Sequence, residues 1–505
     1  MRSLRGIGDT AWLLLFAVLK LAIHLNVGAG YGYHRDEMYY LVCADHLAWG
    51  YVDHPPVSVL LIAAMRALAG ASAAAIRFAP ALAGASTVFV VGLMTRQLGG
   101  RWLAQALAMT AAIAAPFYLA LDQYFSMNAF DVLVWSVAAS MMIAILKGGP
   151  DRLWLWLGIT LGIGLENKIS VLWLVGALGV GLLLSPQRTL LRTRGPWIAA
   201  AVAAALALPY AVWQVAHGFP TIEFMRESTS EKLAAHSFGG FLAAEVRGML
   251  PIASPIWAAG LLSLFWSERS RAYRVLGWAW LAVFLLLAAT PTTRSAYLAP
   301  AYTWLLPAGA VAIERLLRGW RQVIGVAYAV LIVLGASSAA PFVLPIVPRE
   351  TLLAAARPSD AEERTGGPQV SEFLAHMTPW PQIVGQVAAV YDAIDPAARA
   401  STSIVASNYG IAAAIDVLGR DRGLPPALSG HNNYWLWGLR GQQPKTFIVI
   451  GWSEASLRRS FDDVVRAGET RCEFCMNYDN HQPIWIARGL HVPLSAWWET
   501  ARHYD

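Results

Sequence analysis

The sequence predicts a mostly α, polytopic membrane protein of about eleven transmembrane helices with a small α/β domain at its C-terminal end. Three observations carry this. Only 14% of the 505 residues are charged and 57% are hydrophobic, against roughly 25% charged in a soluble domain. Apolar runs long enough to cross a bilayer recur along the first two thirds of the chain. Beyond Pro348 charged residues and prolines become frequent. The 22 Trp suit a membrane protein, because indole rings favour the headgroup interface.

The candidate spans lie near 10–29, 76–95, 102–121, 129–147, 153–165, 169–185, 196–216, 248–266, 275–290, 296–314 and 322–344. The first follows Arg2 and Arg5 and exceeds a signal-peptide core in length, so it reads as an uncleaved anchor. The fifth and sixth are short, and their junction Glu166-Asn167-Lys168 is expected to dip below the membrane surface. Segments 37–49 and 55–68 are too short to cross and read as interfacial helices. With the N-terminus cytoplasmic, every cytoplasmic turn is basic: Arg96 and Arg101; Lys147 and Arg152; Arg188, Arg192 and Arg194; Arg269, Arg271 and Arg274; Arg315, Arg318 and Arg321. The opposite loops are mixed or acidic. The positive-inside rule then puts the C-terminal domain on the extracytoplasmic side of the membrane. The net charge of +6 is scattered loop arginine, with no patch suited to nucleic acid.

Residues 1–345 form the expected membrane domain and 346–505 the soluble one. In the latter, β-like runs at 402–406, 446–450 and 483–487 alternate with helical stretches at 380–393 and 454–467. Cys472 and Cys475 form a C-x-x-C. Four ligands at zinc spacing are lacking, which leaves a disulfide or two packed thiols. There is no Walker loop, H-E-x-x-H or G-x-S-x-G. Gly162 and Gly164 lie inside a span and read as helix-packing residues.

The residues with chemistry cluster after the first span. Tyr33-His34-Arg35-Asp36-Glu37-Met38-Tyr39-Tyr40 is followed by Trp49-Gly50-Tyr51-Val52-Asp53-His54-Pro55-Pro56. Adjacent carboxylates beside a bilayer are costly unless hydrated or paired. The bland alternative makes Asp36 a helix N-cap. An Asp-Glu pair at this place, a His-Pro-Pro turn and an apolar interfacial helix resemble the GT-C glycosyltransferases. The branch most similar contains the dolichyl-phosphate-mannose protein mannosyltransferases and the bacterial lipid A aminoarabinose transferases. The resemblance covers roughly residues 5–345. It implies transfer of a sugar from a polyprenyl-phosphate donor to an extracytoplasmic glycan, lipid or protein acceptor. It makes Asp36 the base, with Glu37 beside it.

The departing phosphate needs cationic neighbours. The resemblance implies that Lys168 meets it, against the bland reading of a snorkelling lysine. It implies the same for Arg294 and Tyr297 in Arg294-Ser295-Ala296-Tyr297-Leu298-Ala299-Pro300. Arg35 and His54 are further phosphate candidates, although His54 alternatively braces the Pro-Pro turn. A second acidic element runs from Asp122 to Asp131. Relatives often carry Asp where Asn128 stands, so the amide here weakens the case for a metal. Asp131, one helical turn on, is expected in the same cavity. No cofactor is required, and a divalent metal stays open. Glu223, Glu227 and Glu231, at i, i+4 spacing, read as a solvated helix face, with an acceptor-side lid as the alternative.

Ser407-Asn408-Tyr409-Gly410 and the group His431, Asn432, Tyr434 and Trp435 suit sugar or acceptor contacts, and equally a domain core. The competing function is a polyprenyl-lipid or solute transporter, or flippase, since Glu166-Asn167-Lys168 is similar to a helix break at a transport site. The absence of repeated halves favours the enzyme. So does the gathering of Asp36, Glu37, Lys168 and Arg294 on one side.

Overall fold

Lipid offers no partner to a backbone amide, so apolar runs close their hydrogen bonds internally as helices. The computed structural model describes residues 2–28, 30–231, 237–290, 292–317, 319–348, 350–351 and 372–504. The 352–371 stretch, just past the expected domain boundary, lies outside the described residues. The membrane part comprises α1 (Arg2–Leu25), α2 (Arg35–Cys43), α3 (Val57–Ala69), α4 (Ala73–Gln97), α5 (Trp102–Ala114), α6 (Pro116–Leu121), α7 (Met127–Leu146), α8 (Arg152–Leu165) and α9 (Val171–Leu184). It continues with α10 (Gly195–Leu206), α11 (Leu208–Ala216), α12 (Pro220–Glu231), α13 (Phe238–Gly248), α14 (Ser254–Trp266), α15 (Arg274–Ala288), α16 (Tyr302–Leu316) and α17 (Gln322–Val343).

Among the described residues, five helical stretches are long and apolar enough to cross a membrane alone: Ala73–Gln97, Met127–Leu146, Glu268–Ala288, Ser295–Leu316 and Gly319–Val343. Three bent helix pairs raise this to as many as eight. Other spans read from the sequence are shorter apolar helices, including Thr10–Leu25, Trp102–Ala114 and Arg152–Leu165. The 102–121 run breaks at Ala115, because Pro116 has no N–H to continue α5 and instead starts α6.

Close approach holds the bundle. A Cβ on Gly309 of α16 would stand 1.7 Å from the Ile256 carbonyl oxygen of α14, so only glycine fits there. Gly162 does pack a helix, against Leu206 and Ala203 of α10. Charges buried in the bundle are paired, as such depth requires: Lys20 Nζ lies 2.9 Å from Asp122 and also donates to the Tyr118 carbonyl.

The C-terminal unit holds a five-stranded sheet: β1 (Thr402–Ala406), β2 (Leu428–Ser429), β3 (Thr446–Ile450), β4 (Phe461–Glu469) and β5 (Pro483–Leu490). The strand order is β2-β1-β3-β5-β4. Strand β1 pairs parallel with β2 and β3, and β5 pairs antiparallel with β3 and β4. The helix expected at 454–467 is corrected: only Glu454–Leu457 is helical, and the rest is β4. Pairing with β5 buries Phe461 and Val464, and that tertiary gain overrides the local helical pattern. Helices α18 (Trp380–Asp392) and α19 (Tyr409–Leu418) cover the sheet. One apolar core runs from Met38, Tyr40, Val59 and Ile62 of the first loop into Ile383, Val387, Ile411 and Ile415 of these helices. Cys472 and Cys475 are joined as a disulfide, and Phe474 between them accepts a hydrogen bond from the Thr378 hydroxyl.

Candidate active site

The site begins with the cap of α2. The His34 ring accepts from the Asp36 N–H at 3.1 Å, while the His34 N–H donates to Glu37 Oε2 at 2.8 Å. This capping box overturns the reading of Asp36 as N-cap: its neighbours satisfy the helix end and its own carboxylate is released. Burial, with Arg77 and Arg35 adding to it, holds the His34 ring well below the usual histidine range. The ring is therefore neutral and able to accept.

The two adjacent carboxylates are used differently. The Glu37 side chain is 0% exposed. It takes two hydrogen bonds from Arg77 at 2.7 and 2.8 Å and one from the Phe125 N–H. Glu37, expected beside the base, is thus a structural tie between α2, α4 and the turn before α7. The Asp36 side chain is 31% exposed and accepts from the Tyr409 hydroxyl at 3.0 Å.

Asp36 lines a cavity of about 870 Å³ together with His34, Arg35, Tyr124 and Arg294. The C-terminal unit closes the other side with His376, Ser407, Tyr409, His431, Tyr478 and His503. Ser407 and Tyr409 follow β1, and His431 follows β2, so this wall stands at the carboxyl ends of parallel strands, where α/β sheets bind ligands. Arg35 is buried between two rings, its guanidinium 4.2 Å from the Tyr409 centroid and 5.2 Å from that of Tyr478. It also donates to the Tyr478 hydroxyl at 2.9 Å. Burial, then the nearby cations, push His376 down to about 2.

A second cavity of about 330 Å³ is lined by Lys168, Tyr297, Asp53 and Ser170 and by apolar Trp173, Phe224, Leu286 and Leu287. Lys168 Nζ donates to Asn128 Oδ1 at 2.8 Å, lies 3.3 Å from Asp131 and sits over the Tyr297 ring. Asn128 and Asp131 are therefore the partners of Lys168. The Val57 N–H donates to the Glu166 carbonyl at 2.8 Å, which fixes the Pro-Pro turn against this junction. Asp53 accepts from Tyr39 and from Asn433 Nδ2, and burial raises its carboxyl above the usual range. Thr293 lines this cavity and Arg294 lines the other, so one turn of chain borders both.

His54 is buried, with its ring stacked between Tyr40 and Tyr51 and Nδ1 against the Pro55 carbonyl. It braces the turn. Of the four C-terminal candidates, His431 lines the larger cavity. Tyr434 is core, donating to Asp416 at 3.0 Å. Asn432 is fully buried and Trp435 packs under Arg502. The solvated face expected around Glu223 is instead partly covered: Glu223 pairs with Arg502 and Glu227 accepts from the Tyr504 N–H. The Glu231 side chain lies outside the described residues. The sequence alone assigns no role to Asp53, His376, Tyr478 or His503. Among the described residues, no three His, Cys, Asp or Glu side chains gather as a metal-ligand cluster.

A multi-pass helical bundle whose first loop is closed over by a small mixed-sheet unit has the architecture of a GT-C membrane protein. The model of the family described as dolichyl-phosphate-mannose-protein mannosyltransferase matches residues 53–213. In structure the chain is similar to ArnT from Cupriavidus metallidurans bound to undecaprenyl phosphate, with TM-score 0.60 and 16% identity over 94% of this chain and 98% of that one. It is also similar to the oligosaccharyltransferase AglB from Archaeoglobus fulgidus, in complex with an inhibitory peptide and a dolichol-phosphate. There the TM-score is 0.53 and the identity 12%, over 88% of this chain and 70% of that one. No curated protein sequence matches significantly.

Proposed function

We propose that the chain is an inverting membrane glycosyltransferase that moves a sugar from a polyprenyl-phosphate donor to an extracytoplasmic hydroxyl acceptor. The observation that carries this is the pairing of cavities. One is largely apolar with a single lysine at its polar end, suited to a prenyl phosphate. The other is polar and aromatic with the freed carboxylate of Asp36 at its edge. In this reading residues 1–345 are the catalytic membrane domain and 346–505 the periplasmic one, in an inner membrane with the N-terminus cytoplasmic. The likeness to ArnT with bound undecaprenyl phosphate supports the donor class.

The acceptor O–H gives its proton to Asp36. Its oxygen bonds to the anomeric carbon as the carbon–oxygen bond to phosphate breaks. The phosphate leaves with the electron pair as polyprenyl phosphate, and one displacement inverts the carbon. Lys168 and Arg294 offset the charge that the leaving phosphate gains.

The test is binding of undecaprenyl phosphate to purified protein, wild type against Lys168→Ala, with turnover of undecaprenyl-phosphate monosaccharides by Asp36→Asn. Binding that weakens at least tenfold without Lys168 (about 1.4 kcal/mol), and an Asp36→Asn protein that binds but does not turn over, are expected. No binding by wild type would move the function to lipid or solute transport.

A further inference from the structure

We propose that Tyr409 is a positioning residue for Asp36, so that the C-terminal unit sets the base of a site otherwise built on the membrane bundle. The proposal rests on the reading of Asp36 as that base. The Tyr409 hydroxyl donates to Asp36 Oδ1 at 3.0 Å, a contact between residues 373 apart in sequence. The ring is held in place from several directions. Arg35 lies over its face, and the Tyr39 ring is 4.6 Å away. The Tyr409 N–H donates to His431 Nδ1 at 3.3 Å. Tyr409 is the first residue of α19, whose N-cap is Asn408, directly after β1. A rigid strand–helix turn therefore carries the hydroxyl to the carboxylate. A Cβ on Gly410 would stand 2.7 Å from Arg35 Nε, so a larger residue there would push against the Arg35 side chain.

The contact divides the work of the carboxylate. Oδ1 is occupied by Tyr409, which leaves Oδ2 to receive the acceptor proton. An O–H donated to a carboxylate stabilises the ionised form, the form a base needs. The other charged and titratable groups facing Asp36 are His34, Arg35, Tyr40 and Asp53 of the first loop, Tyr124 before α7, and His376 of the C-terminal unit. Arg294 lines the same cavity. A parallel link exists at the second cavity, where Asn433 donates to Asp53 Oδ1 at 3.0 Å. The C-terminal unit thus holds one carboxylate at each cavity.

Tyr409→Phe keeps the ring under Arg35 and removes only the hydroxyl. Two measurements on the purified full chain decide the matter. The first is a double-mutant cycle of Tyr409→Phe with Asp36→Ala on the unfolding midpoint. The second is kcat and KM for undecaprenyl phosphate release from undecaprenyl-phosphate monosaccharides, with a cell-envelope extract supplying acceptors. The cycle is expected to be non-additive. Tyr409→Phe is expected to lower kcat about tenfold with the KM for the donor and the undecaprenyl phosphate affinity unchanged. Additive stabilities overturn the proposal. So does a Tyr409→Phe protein that keeps the wild-type kcat, or one whose KM rises while kcat holds. A wild type that binds undecaprenyl phosphate but releases none from any donor sinks the transferase reading, while the cycle still decides whether Tyr409 holds Asp36.

Discussion

Asp36 and Glu37 are neighbours in sequence with opposite fates. The sequence marked the pair, because two carboxylates beside a bilayer demand an explanation. It carried no sign of which one was structural, because the deciding partner, Arg77, lies 40 residues on. Removing one member of a buried ion pair strands the other. Glu37→Gln is therefore expected to cost about 3 kcal/mol or more, seen as a lower unfolding midpoint with undecaprenyl phosphate affinity retained in the folded fraction. A Glu37→Gln protein as stable as wild type would show that Arg77 finds other partners. Tyr409 sits in a cluster that the sequence marked for its amide and aromatic groups. His376 and Tyr478 are single residues in loops, and nothing local distinguishes them.

At the scale of elements, hydropathy located the helices well and their ends poorly. A period in the sequence reports which face is apolar, whereas a break depends on one residue such as Pro116. The 454–467 stretch failed for a different reason, since a strand at a sheet edge is decided by its partner β5, which no local pattern contains. The junction between α8 and α9 was legible as a dip and as a lysine of interest. Its coupling to α7 was not. Lys168→Ala leaves Asp131, 1% exposed, without its cation. The single variant is expected to lose stability, and Lys168→Met with Asp131→Asn to recover much of it while undecaprenyl phosphate binding stays lost. Recovery of binding in the double variant would remove Lys168 from the phosphate site.

For the whole molecule, composition alone fixed a membrane bundle followed by an α/β unit. How the two meet was invisible, because the shared core joins Met38 and Tyr40 to Ile411 and Ile415 across most of the chain. That junction has a pH signature. Burial keeps His34 and His376 below the ordinary histidine value of ~6.5. The unfolded chain takes up protons there that the folded one refuses, so each ring contributes stability above ~6.5 that is lost as pH falls below it. The unfolding midpoint is expected to drop as pH is lowered from ~7 to ~5, and to drop less in His376→Gln. A midpoint flat over that range in wild type would mean both rings reach solvent. The Cys472–Cys475 link encloses too short a loop to matter much to global stability. It stands three residues before Tyr478, which holds both Arg35 and His376. Purification buffers containing dithiothreitol, or production in a reducing cell compartment, are thus choices about the shape of the larger cavity, and an enzymologist who finds a weak preparation should look first at the reductant.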